Sequence, residues 1–381
     1  MALIATAFLR PFPGDGGPRQ TKGEPYLDNI TLISSDKCWM EQTALDKLRA
    51  AAALPGVTRA VGLPDLHAGA VPVGAVIETE GILYPHLIGG DIGCGMGLYD
   101  TGVPLRRVRQ DKIVSRLNHI RALEDLPSPH PLPPESPIPD LGTIGGGNHF
   151  AEFQTVDTVL DEEALALLGL SRDRLLLLVH TGSRSYGQRI ADAYPAPGGL
   201  PAASPEAAAY LAAHGDALHW AERNRRLAAE KLLDWLGFSG EVTPLLDKPH
   251  NFIEEREGRF LHRKGAVSAE AGPSVLPGSR GSLTYLVMPA ADTALSAWSL
   301  SHGAGRKWAR SLCRPRLRDK YDRDSLRRTA LKSRVVCHDT ALLFEEAPEA
   351  YKNIGQVLGA LEEHSLLRVI ASLRPLVTYK G

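Results

Sequence analysis

Residues 88–98, IGGDIGCGMGL, set one carboxylate, Asp91, and one thiol, Cys94, three residues apart among five glycines. Thiolates and carboxylates ligate metals, and glycines let a loop close tightly around an ion. Cys94 also admits a plainer reading as a small buried hydrophobe, a common fate of free cysteine. Five histidines stand in short polar or glycine-rich motifs: His149 in GGGNHF, His180 in LLLLVHTGSRSYG, His250 in KPHNFIEE, His262 in LHRKGA and His302 in LSHGAGRKWAR. Any one alone reads as a hydrogen-bonded structural histidine. Together, beside an Asp/Cys loop, they point to imidazoles completing a metal shell in which Cys94 could bridge two ions. Ligand softness puts zinc first and leaves manganese and iron compatible. His180 closes an apolar strand where the sheet gives way to a loop, the place where open α/β sheets put ligands.

The elements that must carry these residues follow from the pattern of the chain. With 381 residues, 43% hydrophobic content and a formal charge of -1, it is long enough for one large domain or two ordinary ones. Near-neutral charge argues against a general nucleic-acid coat but leaves room for a local basic surface. Four cysteines at 38, 94, 313 and 337 form no CxxC pair and no disulfide framework, which fits a reducing cytoplasm. The opening MALIATAFLR lacks the charge pattern of a signal peptide, and no membrane-spanning segment is expected. Residues 1–28, rich in Gly, Pro and charge, read as a flexible extension, with the ordered domain over 29–381. EQTALDKLRAAAAL spaces Ala44, Leu45, Leu48, Ala51 and Ala52 for a helix that Pro55-Gly56 stops. From Ala60 onward, short Val/Ile segments broken by Gly and Pro predict strands and tight turns, placing Cys94 on a loop. Seven prolines between Pro127 and Pro139 make a stiff surface loop within one domain. Residues 205–236 form the strongest amphipathic helix, with a break expected near Gly215. Between Arg306 and Arg334 twelve Lys or Arg face only Asp319, Asp322 and Asp324, a local basic stretch that reads as an RNA path or a solvated charged helix. Neither GGGNHF nor HGAGR has the spacing of a phosphate-binding P-loop.

Motifs in fixed order extend the argument. GLPDLHAGAVPVGAV, GGDIGCGMGL, LGTIGGGNHFAEFQ, VHTGSRSYGQ, HNF, HRKGA, VLPGSRGS, SHGAGR, EEAPEAYKNI and the final YKG run from about residue 33 to residue 381. The chain resembles the RtcB-type RNA ligases, and its SSDKCW opening and short length are most similar to the branch associated with a peptide-release-factor homologue. The resemblance implies a single mixed α/β domain with extensive β-sheet and long Gly/Pro-rich loops. It implies GTP-dependent joining of RNA 3'-phosphate or 2',3'-cyclic phosphate ends to 5'-hydroxyl ends, using two manganese ions, in the cytoplasm. Matched motif by motif, Asp91, Cys94 and His149 would hold one ion and Cys94, His180 and His250 the other. His302 corresponds to the histidine that takes GMP. Asn148, Glu152, Ser279, Gly303, Ala304, Gly305, Tyr351 and Lys380 match nucleotide positions, and Arg184 and Arg306 match positions near phosphate. The glycines beside His302 would leave room for a triphosphate.

The chain also departs from that family. Where many members read DINCGVR, Gly93 replaces the Asn and Gly97 the Arg, and the motif usually read PGSMG carries Arg280. These changes fit a branch that repairs cleaved RNA, with ribosomal RNA a possible substrate, beside a release-factor homologue. Two other function classes compete: a metal-dependent RNA phosphodiesterase that opens cyclic phosphates without sealing, and a non-enzymatic RNA-binding module with a structural metal.

Overall fold

A computed structural model describes residues 29–129, 140–238 and 242–381. The expected flexible extension over 1–28 and most of the proline-rich loop lie outside the described residues. On either side of that loop, Leu123, Leu126 and Ile144 enter one hydrophobic cluster with Phe153, Leu177 and Val179, so no domain boundary falls there.

Two sheets dominate the mixed α/β fold. The larger is eight-stranded and runs across Ser274–Pro277, Thr284–Pro289, Leu367–Lys380, Phe150–Val159, Arg174–Thr181, Gly95–Pro104 and Thr243–Pro249, with Arg334–Cys337 added beside Leu367–Lys380. Arg334–Cys337 pairs in parallel, and the other pairings are antiparallel. His180 stands at the end of its strand as the sequence predicts, while the strand direction, antiparallel here, is not encoded in hydrophobic runs, which report burial.

The smaller, five-stranded sheet orders Ile30–Leu32, Val57–Ala68, Pro72–Glu80, Arg259–Lys264 and Asn251–Arg256. Val57–Ala68 is longer than its Gly and Pro content predicts. Its register shifts between Gly62 and His67, where Pro64 offers no N–H to the ladder. That irregularity turns Asp65 out of regular pairing.

The first expected helix forms as Gln42–Ala52 and buries Ala44, Leu48, Ala51 and Ala52. The second, Pro205–Trp235, corrects the expected break: it continues through Gly215. One glycine costs a helix about 1 kcal/mol, and burial of Tyr210, His214, Ala217 and Trp220 on either side of it outweighs that. Ser204 caps it by accepting from the Ala207 N–H at 3.1 Å. No helix among the described residues is long and apolar enough to cross a membrane.

Candidate active site and metal centre

Four neighbouring strands of the larger sheet end side by side, and each end carries an expected ligand. His149 precedes Phe150–Val159, His180 is the penultimate residue of Arg174–Thr181, Cys94 precedes Gly95–Pro104 and His250 follows Thr243–Pro249. Register fixes the convergence: His180 pairs with Phe150 and Met96, and Gly95 pairs with Thr181 and Pro249. Cys94 Sγ lies 3.3 Å from His149 Nε2 and 3.2 Å from His180 Nε2. His180 Nε2 is 3.3 Å from His250 Nε2, and Asp91 Oδ2 is 3.2 Å from His149 Nε2. The thiol therefore sits midway along a chain of donors, and the ligand atoms of Cys94, His149 and His180 fall within 4.8 Å of one another. Donors held about 2.0 to 2.3 Å from one ion lie roughly 3.3 to 3.8 Å apart in a tetrahedral shell, so these side chains fit bound cations.

The electrostatics agree. Burial, then the Asp91 carboxylate, pushes the Cys94 thiol well up. Burial opposes ionisation of Asp91, but the facing His149 more than offsets it and holds Asp91 below the carboxylate range. Burial chiefly holds His180 and His250 well below their ordinary value, so both imidazoles are neutral and able to ligate. A cation would favour the thiolate that burial resists.

The long helix locks this centre from behind. Buried Arg225 pairs with Asp247 and donates to the Gly93 carbonyl at 2.7 Å and the Thr181 carbonyl at 2.9 Å, tying together the loops of Cys94 and His180. Asn224 donates to the carbonyls of Thr143 and Gly182. This packing accounts for Gly93: its φ is +72°, and a Cβ there would lie 2.8 Å from that of Ala221 on the helix. Beside residue 97 the Tyr99 phenol fills the space, 2.5 Å from where a Cβ would stand.

His302 follows the short strand Ser299–Ser301 and lies in the same cavity, of about 630 Å³, as Cys94, His180 and His250. Its ring centroid is 4.9 Å from that of His250. Its Nδ1 is 2.6 Å from Oδ2 of buried Asp65, which also accepts from the His302 backbone N–H at 3.2 Å. Burial works to raise the Asp65 pKa, but the facing His302 offsets it and the net shift is down. An ionised Asp65 is an acceptor for an Nδ1–H, and in the neutral imidazole that tautomer carries its lone pair on Nε2. His67, on the same strand, is pushed to about 4 by burial and then by His302. Packing requires the glycines of SHGAGR: a Cβ at 305 would lie 2.3 Å from the Asp65 carbonyl, and one at 303 would lie 2.8 Å from that of Pro277.

Glu346, which also lines the cavity, gathers Tyr351, Arg306 at 2.9 Å and Lys380 at 3.5 Å. Burial of Tyr351, then Glu346, pushes its phenol well up. Arg306 also donates to Trp308, Glu345, Cys313 and Tyr351. Its five N–H groups are thus matched within the protein, and Arg306 acts here as a tie. Arg184 likewise contacts His149 Nδ1 and Thr143, each at 3.3 Å. Glu152 accepts from Gln154 and Thr378, yet burial pushes it up to about 7. Asn148 meets exposed Arg310 at 3.4 Å, and Ser279 pairs with Ser282. Gly303, Ala304 and Gly305 line the cavity beside His302.

Of the five histidines singled out, His262 alone lies elsewhere: its buried ring accepts from the Tyr84 N–H and faces the Ile77 carbonyl, a structural role. Asp65, His67, Lys264, Glu346, Asn224 and Arg225 went unnoticed in the sequence. For Arg225 and Asn224 a signal existed, since they fall on the buried helix face that carries Ala217, Ala221 and Ala228. The basic stretch is no single helix: Arg310–Leu317 is helical, and irregular backbone with a single 3-10 turn follows before Arg334–Cys337.

Comparison with known proteins agrees with this geometry. The model of a family described as tRNA-splicing ligase RtcB matches residues 47–128, 133–197 and 198–381. An RNA-splicing ligase RtcB2 of Escherichia coli is 42% identical over 373 residues, covering 94% of this chain and 97% of that protein. A tRNA-splicing ligase RtcB of Thermococcus kodakarensis is 27% identical over 463 residues, covering 94% of each, and an RNA-splicing ligase RtcB of Mycobacterium tuberculosis is 26% identical, covering 87% of this chain and 99% of its own.

Proposed function

The chain belongs to the RtcB family, and from that premise we propose that it is a GTP- and manganese-dependent RNA ligase acting through a guanylylated His302. It joins RNA ends carrying a 3'-phosphate or 2',3'-cyclic phosphate to ends carrying a 5'-hydroxyl. The observation that supports this most is the buried Asp65–His302 pair, placed 4.9 Å between ring centroids from a metal-ligand histidine. Neither a phosphodiesterase nor a structural-metal module needs a nucleotidyl acceptor, the role that a His302 oriented through Nδ1 by Asp65 fits.

Asp65 keeps the proton on Nδ1, so His302 Nε2 attacks the α-phosphorus of GTP. A P–N bond forms and the bond to pyrophosphate breaks. The RNA 3'-phosphate then takes GMP from His302, and the 5'-hydroxyl displaces GMP to form the phosphodiester. Asp91, Cys94 and His149 would hold one manganese ion and Cys94, His180 and His250 a second, and the pair would supply positive charge against the phosphates. Tyr351, Lys380, Glu152, Asn148 and Ser279 bind the nucleotide. Arg184 and Arg306 stand near phosphate chiefly by positioning His149 and Glu346, while exposed Arg310, beside Asn148, is a cation at the cavity that can meet it. RNA crosses the basic surface that begins at Arg310. The substrate is cleaved RNA under repair, with ribosomal RNA and a release-factor homologue as candidate companions, in a reducing cytoplasm that suits four free, buried cysteines.

The test is incubation with manganese and α-labelled GTP. An acid-labile label on the parent chain that His302→Ala lacks, with metals and GTP binding retained, is the expected result. A label at another residue, or opening of cyclic phosphate without sealing by a chain that takes no label, overturns the reading.

A further inference from the structure

Arg280 stands out at the Glu346 end of the cavity. It lines that cavity, it is only 8% exposed, and neither of its terminal guanidinium nitrogens has a hydrogen-bond partner among the described residues. A buried guanidinium with empty donors is costly unless something else supplies acceptors. Glu346, the acid that acts most on Arg280, is already engaged by Arg306, Tyr351 and Lys380. Three cations thus converge where one carboxylate serves, and Arg280 is the one without an acceptor.

Its neighbours say which part of a nucleotide it meets. After burial, the groups that act on Arg280 are Glu346, then Cys337, Tyr351 and Glu349, with Asp91, Cys94 and the histidines not among them. If His302 takes the α-phosphorus, the phosphates lie at the metal end and the base reaches the Glu346 end. The edge of guanine that carries O6 and N7 presents two adjacent acceptors, the pattern that a guanidinium fork matches. We propose that Arg280 is a specificity residue of this chain that donates from both terminal nitrogens to the O6/N7 edge of a guanine nucleotide. The inference rests on the nucleotide-transfer reading and deepens it, since a methionine at this position, as the related motif PGSMG carries, has no donor to offer.

The experiment measures binding of GTP, 7-deaza-GTP and ATP to the parent chain, to Arg280→Met and to Arg280→Lys by calorimetry. 7-Deaza-GTP keeps O6 but replaces the N7 acceptor with carbon. The parent should bind it roughly tenfold or more weaker than GTP, the loss of one charge-assisted hydrogen bond. Arg280→Met should bind both guanine nucleotides about equally and should discriminate less against ATP, whose amino group faces the fork with a donor. Equal binding of GTP and 7-deaza-GTP by the parent overturns the inference even if the methionine variant does not fold. So does a loss in Arg280→Met that is the same for all three nucleotides, which would place the guanidinium on the triphosphate. A parent chain that binds no GTP overturns both the inference and the reading beneath it, so the two failures are distinguishable.

Discussion

Glu152 gives the cavity a pH dependence whose size follows from its surroundings. It is buried, it accepts from Gln154 at 2.7 Å and Thr378 at 2.6 Å, and burial still pushes its pKa from 4.5 up to about 7. Below about pH 4.5 folded and unfolded chains both hold the proton, and Glu152 adds no slope. Between 4.5 and 7 the unfolded chain ionises while the folded one does not, so stability falls as pH rises. At about 1.4 kcal/mol for each tenfold change, the loss comes to about 3 kcal/mol by pH 7.5. Glu152→Gln removes that slope, and its altered hydrogen bonds contribute a constant that does not vary with pH. Urea unfolding of metal-free parent and variant at half-unit steps from pH 4.5 to 8 should show the variant gaining about 3 kcal/mol on the parent across the window. GTP affinity of the parent should fall about tenfold per unit below pH 7 if the base N–H groups need the carboxylate. A stability difference flat from pH 5 to 8 would refute the reasoning, because Glu152 would then titrate alike in both states.

Cys94→Ala should keep its far-UV spectrum and lose both metals, as elemental analysis would read; two ions retained sinks the bridging role. Asp65→Asn puts an amide donor against His302 Nδ1 and moves the proton to Nε2, so GMP labelling should slow by about 10³ to 10⁴ while GTP binds within a few-fold; labelling within tenfold of the parent rules this out. Arg225→Met leaves Asp247 buried without its partner and should cost about 3 kcal/mol or more in denaturant midpoints, with weaker metal binding; an unchanged midpoint would mean the loops hold without it. Neutralising Arg314, Arg316 and Arg318 together should flatten the salt dependence of RNA binding by about 2 log units per log unit of salt. An unchanged slope returns these exposed side chains to solvent.

Chemistry of single residues was legible in the sequence where residue type alone limits the options. Cys94, His149, His180, His250 and His302 stand in motifs whose composition already points to metal or nucleophile, and the structure brings four of them into one cavity, with His149 3.3 Å behind Cys94. What escaped depended on geometry that spacing does not encode. Asp65 reads as an ordinary turn carboxylate until the register shift beside Pro64 aims it at His302. Arg306 looks like a phosphate cation from its motif, yet only the fold shows its five donors matched by Glu346 and its neighbours. The expected break at Gly215 failed because local propensity is weaker than the burial on both sides of it.

The same geometry suits a site whose proposed metal ligands stand at strand ends and whose proposed nucleophile stands on a separate turn. A transfer between phosphorus centres needs reacting atoms fixed relative to one another, and strand ends in register are stiffer than loops. One residue joins the two parts. Asn251 donates to the Asp91 carbonyl at 3.2 Å and accepts from the Gly265 N–H at 3.0 Å. Gly265 in turn lies against the His302 ring, where an added Cβ would stand 3.0 Å from Cε1. The loop that carries Asp91 and Cys94 is thereby connected to His302 through two hydrogen bonds and one backbone contact. The HNF, HRKGA and SHGAGR motifs thus meet at Asn251, Gly265 and His302, beside the loop that carries Asp91 and Cys94.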